Sequence, residues 1–137
     1  HEAGPAMEMC ARSVILSAGL VSLMADDNYN CALAHAVCYG LQHFEHVERE
    51  FLHGDLVAYG ALVQLAVDGQ LDKARELRAF LVSLGTPVTL AQMHVPLEKA
   101  ALHDALIEAT TGPDMAHIPY PVTQDMVFDA MQRVETL

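Results

Sequence analysis

The stretch LVAYGALVQLAV, Leu56 to Val67, constrains the fold more than any other, because it is apolar round its whole circumference except at Gln64. A helix of that kind has no face to give to water and must be enclosed by others. The chain is therefore expected to build a multi-helix bundle around a central helix running from about Gly54 to Val67. The remaining sequence agrees, since apolar residues recur at three and four spacing while strand-like alternation is scarce. The fold class is all-α.

Around this centre the other helices are marked by pattern and punctuation. Ala6 to Met24 is rich in Cys, Val, Ile and Leu and broken only by Ser and Gly, so it is expected to be buried on most sides. ADDNYN, residues 25–30, is a turn-rich connector whose Asn30 can cap a helix from Cys31 to about Phe44. EHVERE reads as a charged link. Leu71 to Leu84 is amphipathic, with Leu71, Ala74, Leu77, Phe80, Leu81 and Leu84 on one face, and Gly85 then Pro87 end it.

Thr89 and Gln92 have the spacing of a capping box, and Pro96 can open a helix through about Ala109 that Thr111, Gly112 and Pro113 stop. MAHIPYPVT is an extended loop. Thr123 then caps a last helix whose buried stripe is Val127, Phe128, Met131 and Val134. With 137 residues and no internal repeat or boundary, residues 1–137 are expected to form one helical domain.

Bulk properties exclude several classes of function. Seven Lys plus Arg against 18 Asp plus Glu give a net charge of −11, the wrong sign for neutralising phosphates, so nucleic acid is not an expected partner. The longest apolar runs are punctuated before the roughly 20 residues that a membrane span needs, and no segment is expected to cross one. Cys10, Cys31 and Cys38 are an odd set in apolar surroundings, which fits buried thiols in a reducing, cytoplasmic setting. The start HEAGPAMEMC has neither an initiator Met nor a signal peptide, and leaves open that the chain is part of a larger protein.

The histidines are the chemistry-bearing residues. His35 has Cys31, Cys38 and Tyr39 at helical neighbour spacing, and His53 follows 18 residues later at the start of the central helix. A reversal between the two helices would bring both rings to one point, where neutral imidazoles could hold a metal. A hydrogen-bonded core histidine is the competing explanation, and spacing alone does not decide between them, because the pair is no motif of the H-E-x-x-H kind. His43 and His46 sit among Glu45, Glu48 and Glu50 and read as part of the solvated link. His94 and His103 are isolated, and His117 lies in the proline-rich loop. Cys38 reads as a buried, inert thiol rather than a nucleophile. No G-x-G-x-x-G, Walker, G-x-S-x-G or CxxC motif occurs, so glycine-cradled nucleotide binding is absent from the chain.

ALAHAVCYGL followed by FLHGDLVAYGALVQL resembles the paired signature of the glycerol dehydrogenase family, within the iron-containing alcohol dehydrogenase superfamily. In that family an A-x-x-H-x-x-x-x-G-L segment precedes H-G-E-x-V-A-x-G. SLGTPVTLAQM and AHIPYPVTQDMVFDAM continue the likeness over essentially the whole chain. The resemblance implies a helical C-terminal domain facing an N-terminal nucleotide-binding domain that this chain lacks. It implies His35 and His53 as two ligands of a divalent metal, zinc before iron, and NAD(P) bound through the other domain. Cys38 and Tyr39 fall in the substrate pocket. The metal would polarise the hydroxyl of a small alcohol, polyol or hydroxy acid while nicotinamide takes the hydride.

The chain also departs from the family pattern. The family's third ligand, an Asp, lies upstream of this sequence, so the isolated chain is expected to be inactive. Cys38, Tyr39 and Gly40 stand where glycerol dehydrogenases carry His, Asn and Gly, which leaves polyol specificity open. SLMADDNYN replaces a glycine-rich stretch, and Asp55 replaces a Glu near the helix start. A non-catalytic interaction or oligomerisation module, a homo-oligomer included, is the alternative. A standalone metalloprotein using His35, His53 and Cys38 is a further one.

Overall fold

The computed structural model describes residues 4–24 and 31–137, whose regular structure is all helix, with no strand among those residues. The chain forms two compact units, residues 1–30 and 31–137. Within the first, α1 (Pro5–Arg12) runs through a π-helical stretch, Ser13–Ser17, into α2 (Ala18–Met24). Residues 25–30, with the expected Asn30 cap, lie outside the described residues.

One expectation fails in this first unit, and the ground for a second is weakened. No residue of α1, the π-helical stretch or α2 is buried, and Leu23 and Met24 are each 85% exposed, although the segment was expected to be buried. An all-round apolar pattern specifies that a helix needs cover, and the described residues do not supply it. Moreover Pro5–Met24 spans 20 residues at a mean hydropathy of 1.4, long and apolar enough by length and composition to cross a membrane. The Ser and Gly residues interrupt the run without lowering its average enough to exclude it.

The second unit holds the core. It contains α3 (Leu33–Leu41), α4 (Glu45–Glu50), α5 (His53–Val67), α6 (Leu71–Leu84), α7 (His103–Thr111) and α8 (Gln124–Glu135). The central helix is α5, as expected, and it buries Leu56, Tyr59, Leu62, Val63 and Ala66. Each fully buried Leu contributes roughly 1.5–3 kcal/mol relative to exposure.

Two glycines let α3 pack at backbone distance. A Cβ at Gly60 would stand 2.2 Å from the Ala34 carbonyl oxygen, and one at Gly40 would stand 2.5 Å from that of Ala105. Only glycine permits such approaches, so α3 is pressed between α5 and α7. Gln64, the polar exception of the central helix, accepts a hydrogen bond from the Ala34 backbone N–H at 3.1 Å. It thereby satisfies one of the first-turn donors of α3, whose cap position Ala32 has no side chain able to do so.

The other differences from expectation have local causes. EHVERE is a helix rather than a link, because Val47 is buried and Arg49 pairs with Glu45 one turn back. No helix starts at Pro96. Leu102 N–H instead closes a turn on the Glu98 carbonyl at 3.0 Å, Lys99 pairs with Asp125 of α8, and α7 begins at His103. On α6 only Ala74 and Leu81 are buried, while Phe80 and Leu84 are exposed. Gly85 ends that helix in the left-handed region at φ 78°, as its position suggested. The capping box is half formed: Gln92 N–H donates to Thr89 Oγ1 at 3.2 Å, but the Gln92 side chain accepts from Val88 N–H at 2.7 Å. Thr123 caps α8 by accepting from Met126 N–H, and Val127, Ala130, Met131 and Val134 are buried.

Candidate metal centre

Because α3 and α5 are clamped at Gly60, their side chains near the open end are held in fixed relation. His35 and Tyr39, one turn apart on α3, and His53, the first residue of α5, form a ring cluster. The ring centroids of His35 and His53 lie 5.8 Å apart at 46°, and Tyr39 stands 6.0 Å from His53 and 6.4 Å from His35. His35 is half-buried, whereas His53 and Tyr39 are exposed, so the cluster opens to the surface.

The helix start that carries His53 is itself fixed. The Asp55 carboxylate accepts the Leu52 backbone N–H at 3.3 Å, closing the first turn of α5 from inside. Asp55 thus keeps a carboxylate at the helix start, where the dipole also favours it.

Cys38 is fully buried beneath the rings. Its sulfur lies 3.5 Å from His53 Nδ1 and 3.9 Å from the His53 carbonyl oxygen. Burial pushes the thiol up to about 11, so it is protonated and inert, as expected from the sequence. The other two cysteines differ from expectation: Cys10 is exposed and Cys31 half-buried, and all three are free thiols.

One neighbour was not found in the sequence. Asp114, in the short turn Pro113–Met115, lies beside Cys31 and Tyr39. Burial first, then the Asp114 charge and a hydrogen bond to its carboxylate, raise the Cys31 thiol. Burial and then Asp114 likewise raise the Tyr39 phenol, which stays a proton donor. No local pattern marks a residue that reaches α3 from a loop more than 70 positions away.

Elsewhere in the chain His46 has a role in the fold. His46 Nε2–H donates to the Met93 carbonyl at 3.2 Å, which ties α4 to the short turn Ala91–Met93 and is a structural role rather than that of a solvated link. His94 ends that turn at φ 57° and His103 opens α7, while His117 is exposed in its loop.

Two imidazoles bound through nitrogen at about 2.0–2.1 Å to one tetrahedral ion place their ring centroids roughly 5–6 Å apart. The His35–His53 separation of 5.8 Å fits that requirement. Among the described residues no three His, Cys, Asp or Glu side chains gather as a metal-holding group. That grouping does not support a self-sufficient His35, His53 and Cys38 centre.

No family model matches the chain. It is 35% identical over 126 residues to hydroxycarboxylate dehydrogenase A of Escherichia coli (strain K12), covering 90% of this chain and 34% of that protein. It is 32% identical over 103 residues to a glycerol dehydrogenase of Pseudomonas putida, covering 73% of this chain and 28% of the other. A glycolaldehyde reductase of Halobacterium salinarum is 30% identical over 122 residues, or 87% of this chain and 33% of its own length. The chain spans about a third of the length of the curated relatives it matches.

Proposed function

We propose, from a chain whose sequence places it with glycerol dehydrogenase and related hydroxy-acid and alcohol dehydrogenases, that it is the metal-ligand-bearing helical part of an NAD(P)-dependent dehydrogenase of small alcohols, polyols or hydroxy acids. His35 and His53 are two ligands of a divalent ion, zinc before iron. The third ligand and the dinucleotide belong to a nucleotide-binding domain outside this chain.

The observation that supports the reading best is the convergence of the His35 and His53 rings at 5.8 Å from two helices locked together by Gly60. A divalent ion held there supplies Lewis-acid polarisation of a substrate hydroxyl. The chain's own residues do the rest of the local work. His35 and His53 would hold it through imidazole lone pairs, and Tyr39 offers a phenolic O–H to a substrate oxygen at the rim. Cys38, expected in the substrate pocket, is fully buried and lies beneath the rings as an unreactive thiol that a substrate does not reach, while Asp114 sets a negative charge next to Tyr39.

The test is zinc stoichiometry in the intact protein, with NAD(P)-linked oxidation of glycerol, 1,2-diols and 2-hydroxy acids. His35→Ala and His53→Ala should each abolish stoichiometric zinc and the zinc-dependent activity. Retention of full zinc by both variants would sink the assignment. A second reading, an oligomerisation module, draws on the exposed apolar helix Pro5–Met24. Zinc that is lost on His53→Ala would count against it.

A further inference from the structure

The Cys38 sulfur makes both of its polar contacts to one residue, His53: 3.5 Å to ring Nδ1 and 3.9 Å to the backbone carbonyl oxygen. A thiol carries a single proton, whereas its sulfur also accepts weakly. A carbonyl oxygen can only accept, so along that contact the S–H is the donor. That leaves the sulfur lone pairs facing Nδ1, where only an N–H makes a favourable partner.

Neither side can turn away easily. Cys38 is wholly buried on a helix pressed against α5 and α7, and His53 is the first residue of a helix whose start is held by Asp55. We propose that Cys38 is a positioning residue for His53: its sulfur accepts the Nδ1–H and so holds the imidazole in the tautomer whose Nε2 lone pair is free for a metal ion. Histidine ligands commonly donate their second ring N–H to such a partner, which fixes tautomer and orientation. The metal consequence rests on the function proposed above, while the tautomer itself does not.

The test is a long-range proton–nitrogen correlation spectrum of 15N-histidine-labelled, metal-free intact protein at a pH of about 8, where imidazole is neutral. His53 should show a protonated Nδ1 and a bare Nε2. Cys38→Ala should move it towards the Nε2–H form and weaken zinc binding on the order of tenfold. Cys38→Ser, which keeps an acceptor, should restore both. If Cys38→Ala does not fold, the wild-type tautomer and the serine variant still decide.

An Nε2–H tautomer in the wild type, or an unchanged tautomer in Cys38→Ala, overturns the inference. So does a thiolate-to-cobalt charge-transfer band in the cobalt-loaded protein, which would make Cys38 a direct ligand. A wild type that binds no zinc defeats the proposed function instead, and the metal-free spectrum then judges the tautomer alone.

Discussion

Gly60 of α5 packs so closely on Ala34 of α3 that a Cβ at position 60 would lie 2.2 Å from the Ala34 carbonyl oxygen. Helix propensity alone favours alanine by roughly 1 kcal/mol, but overpacking at a rigid backbone costs about 1–3 kcal/mol or more. Gly60→Ala should therefore lower stability. Because α3 must move away, it should also weaken zinc binding at the His35–His53 pair. Thermal unfolding together with zinc titration checks this, and a variant as stable as the wild type would refute the close packing.

The buried thiol gives a prediction about pH and reactivity. Cys38 is pushed from its ordinary value of 9.0 up to about 11 by burial. Between those values the unfolded chain releases a proton that the folded chain keeps, so the Cys38 contribution is full below pH 9 and is lost as pH rises towards 11. Near neutral pH the exposed Cys10 should be alkylated first and Cys38 last, which timed labelling and mass spectrometry would establish. Rapid labelling of Cys38 in the folded protein would contradict its burial.

Tyr59 is fully enclosed in the core, and its hydroxyl has no hydrogen-bond partner among the described residues. An unsatisfied buried polar group costs about 1–3 kcal/mol. Tyr59→Phe keeps the ring and removes the hydroxyl, so stability in chemical denaturation should stay level or rise. A loss above about 1 kcal/mol would mean that the hydroxyl is satisfied after all.

Thr123 accepts the Met126 backbone N–H at 3.2 Å and caps α8, whose Glu135 in turn accepts the Leu90 N–H at 2.6 Å. Thr123→Ala should destabilise by about 1 kcal/mol, and Thr123→Ser should restore most of it. Equal stability of the alanine variant would show the cap to be irrelevant.

Much of this architecture is legible in the chain, and the reasons differ by element. Helices α5, α6 and α8 follow from periodicity and punctuation, with Gly85 and Thr123 at the ends where their chemistry belongs. The failures are tertiary. The helical pattern after Pro96 yields to a turn that buries Leu102 and lets Lys99 reach Asp125. The charges of EHVERE hid a helix that depends on one buried valine. At the site, His35 and His53 stood out by their place in apolar helices, and it was the flanking motifs resembling a family that favoured a ligand pair over core histidines. The Cys38 contact to His53 and the approach of Asp114 to Tyr39 depend on how helices meet, which no local pattern encodes.

The short α4 between α3 and α5 has a kinetic meaning. His35 and His53 are only 18 positions apart in the chain, and the segment joining their helices is itself partly helical. Closing so short a connection costs little chain entropy, and local contacts form early. The imidazole pair therefore belongs to a helical hairpin able to assemble ahead of α7 and α8, so a growing chain would bring the two rings together before the core that supports them is complete.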